Sequence, residues 1–334
     1  MELNTLLKNT SRSLYLSVKM LPPPIRPAFG LAYLLCRYAD TIADTALLPA
    51  PRRLYWVEKF PQLVREENTA EQETLARELS GTSDNPYEAA LITHLTDCLT
   101  ALKKIDPALK PYIYDVVQAV CEGMKIDLTT FPSDGGGAPA AFNTPQELAL
   151  YCRLMGGKPG LFWSRLIYHT EAVKLPKETF FELGEKIGDA LQIVNILRDL
   201  PKDIQNGRCY FPRTDLHDFN LTPADLKLKK YSKKFAPIQK KWTQWGTENL
   251  QHAATYYNAI PKRAWQVRAA VAWPMLWTAD TFTKLGKTPD LLNAKKRVKI
   301  SRARVYFTLL VTPFILLSNH LFTAWMQHKL KKLP

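Results

Sequence analysis

Apolar residues along most of the chain are spaced as they are in helices. Between Pro27 and Asp44 they recur three or four positions apart, as expected for a mostly buried helix. Prolines stand near the proposed ends of further helices, where proline is tolerated. These helices are predicted at about 51–68, 71–80, 86–105, 107–126, 144–170, 176–203, 222–258 and 261–285. No regular succession of strands is visible, so the pattern predicts an all-α protein.

The segment Pro132–Pro139, with the sequence PSDGGGAP, is the clearest loop. It is either a boundary between two domains or a connection inside one helical domain. The second interpretation is favoured, because two acidic motifs lie on opposite sides of this loop and must meet to act together. The predicted organisation is one catalytic domain over residues 1–300, followed by a C-terminal segment over residues 301–334.

The C-terminal segment contains an apolar helix whose role has two interpretations. Val305–Trp325 has no Asp, Glu, Lys or Arg over 21 positions, just enough for a helix to span a hydrocarbon core of roughly 30 Å. Basic residues on both flanks leave its orientation undetermined. Polar or helix-breaking residues inside it weaken the case for a simple span: Pro313, Asn319 and His320. The helix either associates with a membrane, spanning it or lying in its interface, or packs on the catalytic bundle.

The formal net charge of +14 is compatible with three kinds of partner: nucleic acid, anionic lipid and an anionic small substrate. The basic run from Lys227 to Lys241 is interleaved with aromatic residues, but no recognised DNA- or RNA-binding motif accompanies it. A solvated helix face is the preferred interpretation of this run. No nucleic-acid partner is therefore predicted.

Cysteine and histidine patterns argue against a disulfide scaffold and a zinc site. The five cysteines form no CxxC pair, which favours reduced thiols in a reducing compartment. The six histidines form no HxxxH or HExxH pattern. The N-terminal residues lack a basic region followed by an apolar one, so a cleaved signal peptide is not expected. The catalytic part is predicted to be cytoplasmic.

Two acidic pairs at helical spacing are the candidate chemistry of the chain. They are Asp40-Thr-Ile-Ala-Asp44 and Asp199-Leu-Pro-Lys-Asp203. Residues four apart share one helix face, with Cβ atoms roughly 5–6 Å apart, so two carboxylates placed there repel each other. Such pairs become favourable when cations lie between them, and Mg²⁺ prefers carboxylate, water and phosphate oxygen. A single pair of this kind is more often a solvated helix face.

The surroundings favour the functional interpretation. The sequences LAYLLCRYA before Asp40 and ALQIVNILR before Asp199 are too apolar for surface helices, and carboxylates there face a cavity or suffer a large desolvation penalty. Each pair also has an arginine beside it. A polar stripe at three- and four-residue steps accompanies the second pair: Gln192, Asn195, Asp199 and Asp203. The two pairs together predict a site that holds Mg²⁺ and a diphosphate between facing helices.

At these residues the chain resembles the squalene/phytoene synthase family. The resemblance rests on Ser-Arg-Ser-Leu at 11–14, LAYLLCRYADTIADT at 31–45, YCRLMGGKPG at 151–160 and NILRDLPKDIQNGRCYFP at 195–212. It covers about residues 5–290, and the last motif is the longest and most specific. The wording of the two acidic motifs looks closer to bacterial squalene synthases than to phytoene synthases.

The resemblance implies an isoprenoid-synthase helical bundle around a central cavity, with the C-terminal apolar helix added. It implies metal ligands at Asp40, Asp44, Asp199 and Asp203. It also implies a catalytic set and a substrate-binding set. The catalytic residues would be Tyr151, Tyr33, Arg37 and Arg198, with Tyr151 handling the proton lost on cyclopropane closure. The substrate-binding residues would be Ser11, Arg12, Gln192, Asn195, Arg208 and Tyr210.

The activity implied is head-to-head condensation of two farnesyl diphosphates through presqualene diphosphate to squalene. Mg²⁺, with Mn²⁺ as an alternative, and NADPH are the implied cofactors, although no GxGxxG fingerprint is present. Other activities stay open: phytoene or dehydrosqualene synthase, presqualene-diphosphate or hydroxysqualene synthase, terpene cyclase, and a catalytically inactive membrane assembly factor. A monomer associated with the cytoplasmic face of a membrane is expected.

Three departures from the family pattern bear on product specificity. Leu14 replaces a frequent phenylalanine, and GGKPG at 156–160 replaces the usual AGxVG. Lys158 and Pro159 should alter the helix locally, and Pro201 should kink or end the helix of the second motif. None of these changes removes a predicted metal ligand.

Overall fold

The computed structural model describes residues 3–11, 14–45, 48–66, 69–81, 86–131, 138–288, 290–292 and 298–331. Nearly all of its regular structure is helical, which confirms the all-α prediction. The chain divides into two compact units, Met1–Thr129 with Arg165–Thr170, and Thr130–Ser164 with Glu171–Pro334. The extent of the predicted catalytic domain, residues 1–300, stays a prediction. The predicted loop at 132–139 lies mostly outside the described residues.

The first unit is built on the helix that carries the first acidic motif. Its helices are α1 (Leu3–Ser11), α2 (Leu14–Met20), α3 (Arg26–Asp44), α4 (Ala50–Arg65), α5 (Thr69–Leu79), α6 (Pro86–Thr93), α7 (Leu95–Lys103) and α8 (Lys110–Thr130). Helix α3 packs against α1, α2, α4, α6 and α7. Tyr38 of α3 stacks on Phe60 of α4 at 5.3 Å between ring centroids. The buried Arg53 of α4 donates to the carbonyl oxygen of Ala43 at 3.1 Å, which holds the C-terminal end of α3.

The second unit is built on the helix that carries the second acidic motif, α11 (Lys177–Gln205). Its other elements are β1 (Ala140–Ala141), α9 (Pro145–Cys152), a π turn (Arg153–Gly157), the first part of α10 (Lys158–Thr170), β2 (Arg208–Cys209), α12 (Arg213–His217), α13 (Ser232–Leu250), α14 (Ala253–Ala259), α15 (Trp265–Gly286), α16 (Arg302–Leu317) and α17 (Asn319–Leu330). Helix α11 packs against the π turn, α13 and α15. Strands β1 and β2 form a short parallel pair, which the sequence pattern did not indicate.

Glycines allow the π turn and α10 to approach α11 backbone to backbone. A Cβ added to Gly188 would overlap the carbonyl oxygen of Gly156, and one added to Gly160 would overlap that of Gly184. The expected local change near Lys158 and Pro159 is found as the π turn that ends at Gly157, one residue before Lys158. Helix α11 runs through Pro201 to Gln205, so Pro201 does not end it.

Two long predicted helices are interrupted in the structure. The predicted helix at 86–105 is divided between α6 and α7 at His94. The predicted helix at 222–258 instead begins with 3₁₀ turns at Pro223–Lys227 and Lys229–Tyr231, followed by α13 and α14. Leu228 adopts an extended conformation with φ −111° and ψ 116°, which a continuous helix does not allow.

The prediction of one continuous apolar helix over Val305–Trp325 is wrong. Helix α16 ends at Leu317, and Ser318 is extended with φ −133° and ψ 120°. The Ser318 side chain accepts a hydrogen bond from the backbone N–H of Leu321, so it caps the start of α17. Among the described residues, no helix is both long enough and apolar enough to cross a bilayer.

Both C-terminal helices pack on α15, and α17 also packs on α14. Phe322 stacks on Tyr257 at 3.8 Å between ring centroids. The buried Arg268 donates to Asn319 Oδ1 at 2.6 Å, and Trp273 Nε1 donates to Thr312 Oγ1 at 2.8 Å. The buried faces of α16 and α17 therefore agree with the interpretation that the C-terminal segment packs on the bundle.

Candidate active site

Helix α3 exposes one stripe of side chains on an otherwise buried surface. Tyr33, Arg37, Asp40 and Asp44 follow each other at steps of four, three and four residues and are all at least partly accessible. The residues between them are buried, except for the half-buried Cys36. The catalytic and metal-binding residues predicted on α3 therefore share one face of one helix.

Arg37 connects the stripe to a second acidic side chain. Its guanidinium donates to Asp40 Oδ2 and, at 2.6 Å, to Glu88 Oε1 on α6. Glu88 was not among the predicted site residues. It lies 51 residues from Arg37 along the chain, and no motif marks it.

The Asp40 carboxyl has several other carboxylates nearby. Burial and the charge of Asp44 together raise the pKa of the Asp40 carboxyl to about 7, although Arg37 opposes the shift. Glu88 and the buried Asp127 of α8 add to the repulsion. Asp127 is a further acidic neighbour that sequence reasoning missed. A cation placed among these carboxylates would relieve the repulsion between them.

The structure describes two residues of the predicted N-terminal element, Ser11 and Leu14. Ser11 is buried at the end of α1, and its hydroxyl donates to the carbonyl oxygen of Leu7 at 2.5 Å. The neighbouring Thr10 accepts a hydrogen bond at its carbonyl oxygen from the Tyr33 hydroxyl at 2.9 Å. The end of α1 is thereby tied to the stripe of α3. Arg12 lies outside the described residues.

Helix α11 also carries its acidic motif on a partly accessible stripe. Gln192, Asn195, Asp199 and Asp203 form a partly accessible stripe at three- and four-residue steps, flanked by buried residues such as Ile196. Beside this stripe the guanidinium of Arg198 donates to both Asp199 oxygens, at 3.2 and 2.6 Å. The polar stripe predicted on this helix is therefore present in the structure.

A cluster of aromatic rings brings two predicted tyrosines together. Tyr151 of α9 stacks on Tyr210 with 5.0 Å between ring centroids, and both side chains are almost fully buried. Phe142 contacts both rings, at 5.7 and 5.9 Å, and Phe131 contacts Tyr210 at 5.1 Å. The Tyr151 and Tyr210 rings therefore lie in a largely dry environment.

The turn after α11 places Tyr210 in this cluster. Gly207 has φ +82°, the left-handed conformation that commonly ends a helix and that glycine adopts without strain. Its carbonyl oxygen accepts from the N–H of Ala140 at 3.0 Å, and β2 then pairs with β1. The pairing brings Phe142 and Tyr210 beside each other. Arg208, a predicted substrate-binding residue, is half-buried on β2.

Charged side chains anchor the π turn that follows Tyr151. Arg153 donates to both oxygens of the buried Asp189 on α11, at 2.7 to 3.1 Å, and to Glu185 at 3.3 Å. Lys158 donates to Glu185 at 2.6 Å. The sequence motif at 151–160 did not indicate that Arg153 and Lys158 form ion pairs with α11.

The cysteines agree with the predicted reduced thiols. All five are free, and all except Cys36 are buried. Desolvation and the charge of Asp40 together raise the pKa of the Cys36 thiol to about 12. No thiolate chemistry is therefore expected at this site.

Comparison with known proteins defines the class and then the family. The structure of TcSQS with the ligand BPH1237 matches over 99% of this chain and 96% of its own, with a TM-score of 0.78 and 19% identity. The fold is the all-α isoprenoid-synthase fold of squalene synthases. The model of the family "Squalene/phytoene synthase" matches residues 7–304, and the chain belongs to this family of prenyltransferase-like enzymes.

Phytoene synthases and squalene synthases are both among the curated relatives of the chain. Phytoene synthase 2, chloroplastic, of Zea mays is 25% identical over 305 residues, which cover 90% of this chain and 65% of the maize protein. The squalene synthase of Yarrowia lipolytica is 28% identical over 235 residues, which cover 69% of this chain and 49% of the yeast protein. The chain therefore spans about two thirds of the length of the maize protein and about half of the length of the yeast protein. At such identities the individual reactions of the family are not distinguished.

Proposed function

We propose that this protein joins two farnesyl diphosphates head to head, through presqualene diphosphate, and reduces the product to squalene with NADPH. One observation carries the proposal. Two helices with many buried residues, α3 and α11, each carry the two aspartates of their motif on a partly accessible stripe between buried side chains. A chain under no demand to bind a charged ligand would place leucine or alanine at such positions more cheaply.

The residues on the two stripes fit Mg²⁺, with Mn²⁺ as an alternative. The ligands would be Asp40 and Asp44 on one helix and Asp199 and Asp203 on the other. Among the described residues no group of three or more acidic, His or Cys side chains forms a metal site by itself. Mg²⁺ commonly uses one or two carboxylates and completes its shell with water and substrate phosphate. When bound, the metal would supply positive charge to the departing diphosphate.

Arg37 and Arg198 would orient the diphosphates. Each guanidinium already donates charged hydrogen bonds at its acidic pair. A planar guanidinium donates to carboxylate and phosphate oxygens in the same two-pronged way. Both arginines would donate some of their N–H groups to an arriving diphosphate while they stay beside the acidic pairs. Gln192, Asn195, Ser11, Arg12 and Arg208 are proposed to contact the substrates around this centre.

Tyr151 is proposed to receive the proton that is lost when the cyclopropane ring closes. The first step joins two farnesyl groups with loss of one diphosphate and one proton. The second step loses the remaining diphosphate and adds a hydride from NADPH. Tyr151, Tyr210 and Phe142 would line the proposed reaction with aromatic rings, which would exclude water that traps a carbocation. Tyr33 is proposed to fix the end of α1 beside the first diphosphate.

The same residues would serve the other head-to-head reactions of the family. A phytoene or dehydrosqualene synthase, and a presqualene-diphosphate or hydroxysqualene synthase, need the same ionisation and the same cyclopropane closure. No described residue is assigned to NADPH, so the reduction step rests on the resemblance. A catalytically inactive membrane assembly factor remains the non-enzymatic alternative, against which all four aspartates of the two motifs argue.

The test is incubation of the purified chain with farnesyl diphosphate and Mg²⁺, with and without NADPH, followed by analysis of the extract. Squalene that forms only with NADPH supports the proposal. Presqualene diphosphate or hydroxysqualene as the final product in spite of NADPH would assign the partial reaction. No consumption of farnesyl diphosphate, or of geranylgeranyl diphosphate in a parallel assay, would contradict the enzymatic proposal.

Two variants test the site itself. Asp40→Asn and Asp199→Asn should each lower turnover by about a hundredfold or more, because a lost charge at the diphosphate acts directly on the transition state. Asp115→Asn is the matched control, since Asp115 is 56% exposed and pairs with Arg165 on the surface. Circular dichroism should show unchanged helical content in all three. Normal turnover in Asp40→Asn would remove that residue from the site.

We also propose that the protein is a monomer associated with the cytoplasmic face of a membrane. Its proposed substrate and product carry long hydrocarbon chains, which partition into bilayers. Light scattering of the purified chain tests the oligomeric state, and fractionation of cells tests the location.

A further inference from the structure

Helix α16 buries two threonines and exposes several of its large apolar side chains. Thr308, Thr312 and Ile315 are its buried residues, and the two threonine hydroxyls make hydrogen bonds in the interior. The opposite face presents Tyr306, Leu310, Phe314 and Leu317, which are 63% to 74% exposed. A surface helix of a protein surrounded by water has the reverse arrangement.

Helix α17 adds a further exposed apolar side chain, Leu321, which is 48% exposed. Half of the exposed large apolar side chains in the described chain fall between residues 306 and 321. Exposed apolar side chains concentrated in one segment mark an interaction site. Because the inner faces of both helices pack on α15, the pair lies flat on its unit and offers the outer face to a partner.

A cavity of about 790 Å³ opens between α15, α16 and α17. Most of its wall is apolar and includes Phe307, Val311, Phe314 and Trp325. This volume lies in the range of sites that bind organic molecules, roughly 300–1,000 Å³. Two of these side chains, Phe307 and Phe314, also belong to the exposed surface, so the cavity and the outward face are continuous.

One end of the cavity is charged. Asp280 accepts from Arg304 at 2.8 and 3.2 Å and also from Lys329, whose side chain is 7% exposed. Trp325 lies within 5.5 Å of both cationic groups. With Lys287, the lining has three cationic side chains and one carboxylate. The excess positive charge favours an anionic group at this end.

The charge of the C-terminal segment selects the kind of partner. Residues 301–334 contain five lysines and arginines and no aspartate or glutamate. A second copy of this chain would bring the same positive charge to a two-fold interface and be repelled. An anionic bilayer combines hydrocarbon for the exposed stripe with negative headgroups for the basic residues.

We propose that α16 and α17 lie in the interface of an anionic membrane, and that the cavity beside them binds one anionic phospholipid. The headgroup phosphate would lie at Arg304, Lys329 and Lys287, and an acyl chain would follow Phe307, Val311 and Phe314. The inference deepens the membrane association proposed above, of which it names the surface and the lipid class. It does not depend on the proposed reaction.

The first experiment measures sedimentation of the full chain with vesicles of phosphatidylcholine, with or without phosphatidylglycerol. Binding should require phosphatidylglycerol and weaken as salt is raised. Leu310→Gln should weaken binding about tenfold, whereas Leu228→Gln, at a site 48% exposed in the same unit, should not. Both replaced side chains are exposed, so folding is not at risk. Equal binding to both kinds of vesicle, or equal effects of the two variants, would overturn the proposal.

The basic residues are tested in the same assay. Lys287→Gln should weaken binding about fivefold, the effect of one basic residue near an anionic surface. Lys240→Gln is the matched control, because Lys240 is exposed on α13 and does not line the cavity. Equal binding of the two variants would show that Lys287, at the charged end of the cavity, does not contact the anionic headgroups.

A second experiment addresses the cavity directly. The chain purified with phosphatidylglycerol should retain one phospholipid in native mass spectrometry. Arg304→Gln should lose this lipid, while Arg304→Lys and Lys240→Gln should keep it. Absence of retained lipid in the unchanged chain would overturn the cavity site. Displacement of the lipid by farnesyl diphosphate would assign the cavity to a prenyl diphosphate instead.

Turnover of farnesyl diphosphate in the same preparations separates the two proposals. A chain that turns over the substrate but ignores anionic vesicles disproves the lipid site and leaves the reaction in place. A chain that binds the vesicles and phosphatidylglycerol as expected but is inactive disproves the reaction and leaves the lipid site in place.

Discussion

Asp189 of α11 is 1% exposed and accepts hydrogen bonds from Arg153. Burial raises the pKa of its carboxyl to about 6, although the hydrogen bonds and charge of Arg153 oppose the shift. The folded state therefore holds this proton more tightly than the unfolded state does. Between about pH 4 and pH 6 the folded protein binds more protons, so its free energy of unfolding falls as pH rises.

Asp189→Asn should remove this part of the pH dependence. The unchanged protein should lose up to about 3 kcal/mol between pH 4 and pH 6 through this group, and the variant should lose less. Urea unfolding at several pH values measures the difference. Asp115→Asn, at an exposed ion pair, should leave the slope as it is. Parallel pH profiles for the unchanged chain and Asp189→Asn would contradict the role of burial at Asp189.

The residues that the sequence could not supply are those whose partners lie far along the chain. Arg37 and Asp40 are three positions apart, so helical spacing alone places them together. Glu88 and Asp127 reach the same cluster from α6 and α8. Neither stands in a motif, and only the packing of those helices brings them near Asp40. Asp189 and Arg153 are likewise 36 residues apart.

Two helical segments of the second unit meet at their glycines. The carbonyl oxygen of Gly156 in the π turn occupies the space that a Cβ of Gly188 would need. The obstructing atom belongs to the backbone, which cannot rotate away as a side chain does. The approach holds the π turn, and with it Arg153, against α11 just after Tyr151.

Gly188→Ala should therefore destabilise the protein by about 3 kcal/mol, the upper range for overpacking a tight interface. Gly30→Ala on α3 is the matched control. Its Cβ would meet only the end of the Leu7 side chain at 3.1 Å, and alanine favours a helix over glycine by about 1 kcal/mol. Denaturant unfolding of both variants measures the contrast. Equal stability of the two would show that the π turn shifts at little cost.

At the scale of elements, the sequence predicted helices where the apolar period was long and unbroken. α3, α8, α11 and α15 lie close to their predicted ranges. The errors fall where a local conformation interrupts the period: His94 between α6 and α7, Leu228 ahead of α13, and Ser318 between α16 and α17. At Ser318 the apolar run continues on both sides, so hydrophobicity alone predicts one helix. The Ser318 cap divides the segment into two helices, and composition alone does not reveal it.

For the whole molecule, the prediction that remains is the meeting of the two acidic motifs. They lie in different compact units of the chain. The proposed reaction requires that both motifs bind the same diphosphate-metal cluster. Inorganic pyrophosphate with Mg²⁺ is a suitable probe, because it needs no turnover. At a hundred times its dissociation constant, such a ligand stabilises the folded state by about 2.7 kcal/mol.

A double-mutant cycle decides between one shared site and two independent sites. Thermal unfolding with and without Mg²⁺ and pyrophosphate is measured for the unchanged chain, Asp40→Asn, Asp199→Asn and the double variant. If the motifs share one cluster, each single change should remove most of the stabilisation by the ligand, and the double change should add little. If they bind separately, the two losses should add, as they do for distant sites. Additive losses would contradict head-to-head condensation, because that reaction needs both diphosphates beside one pair of allylic carbons.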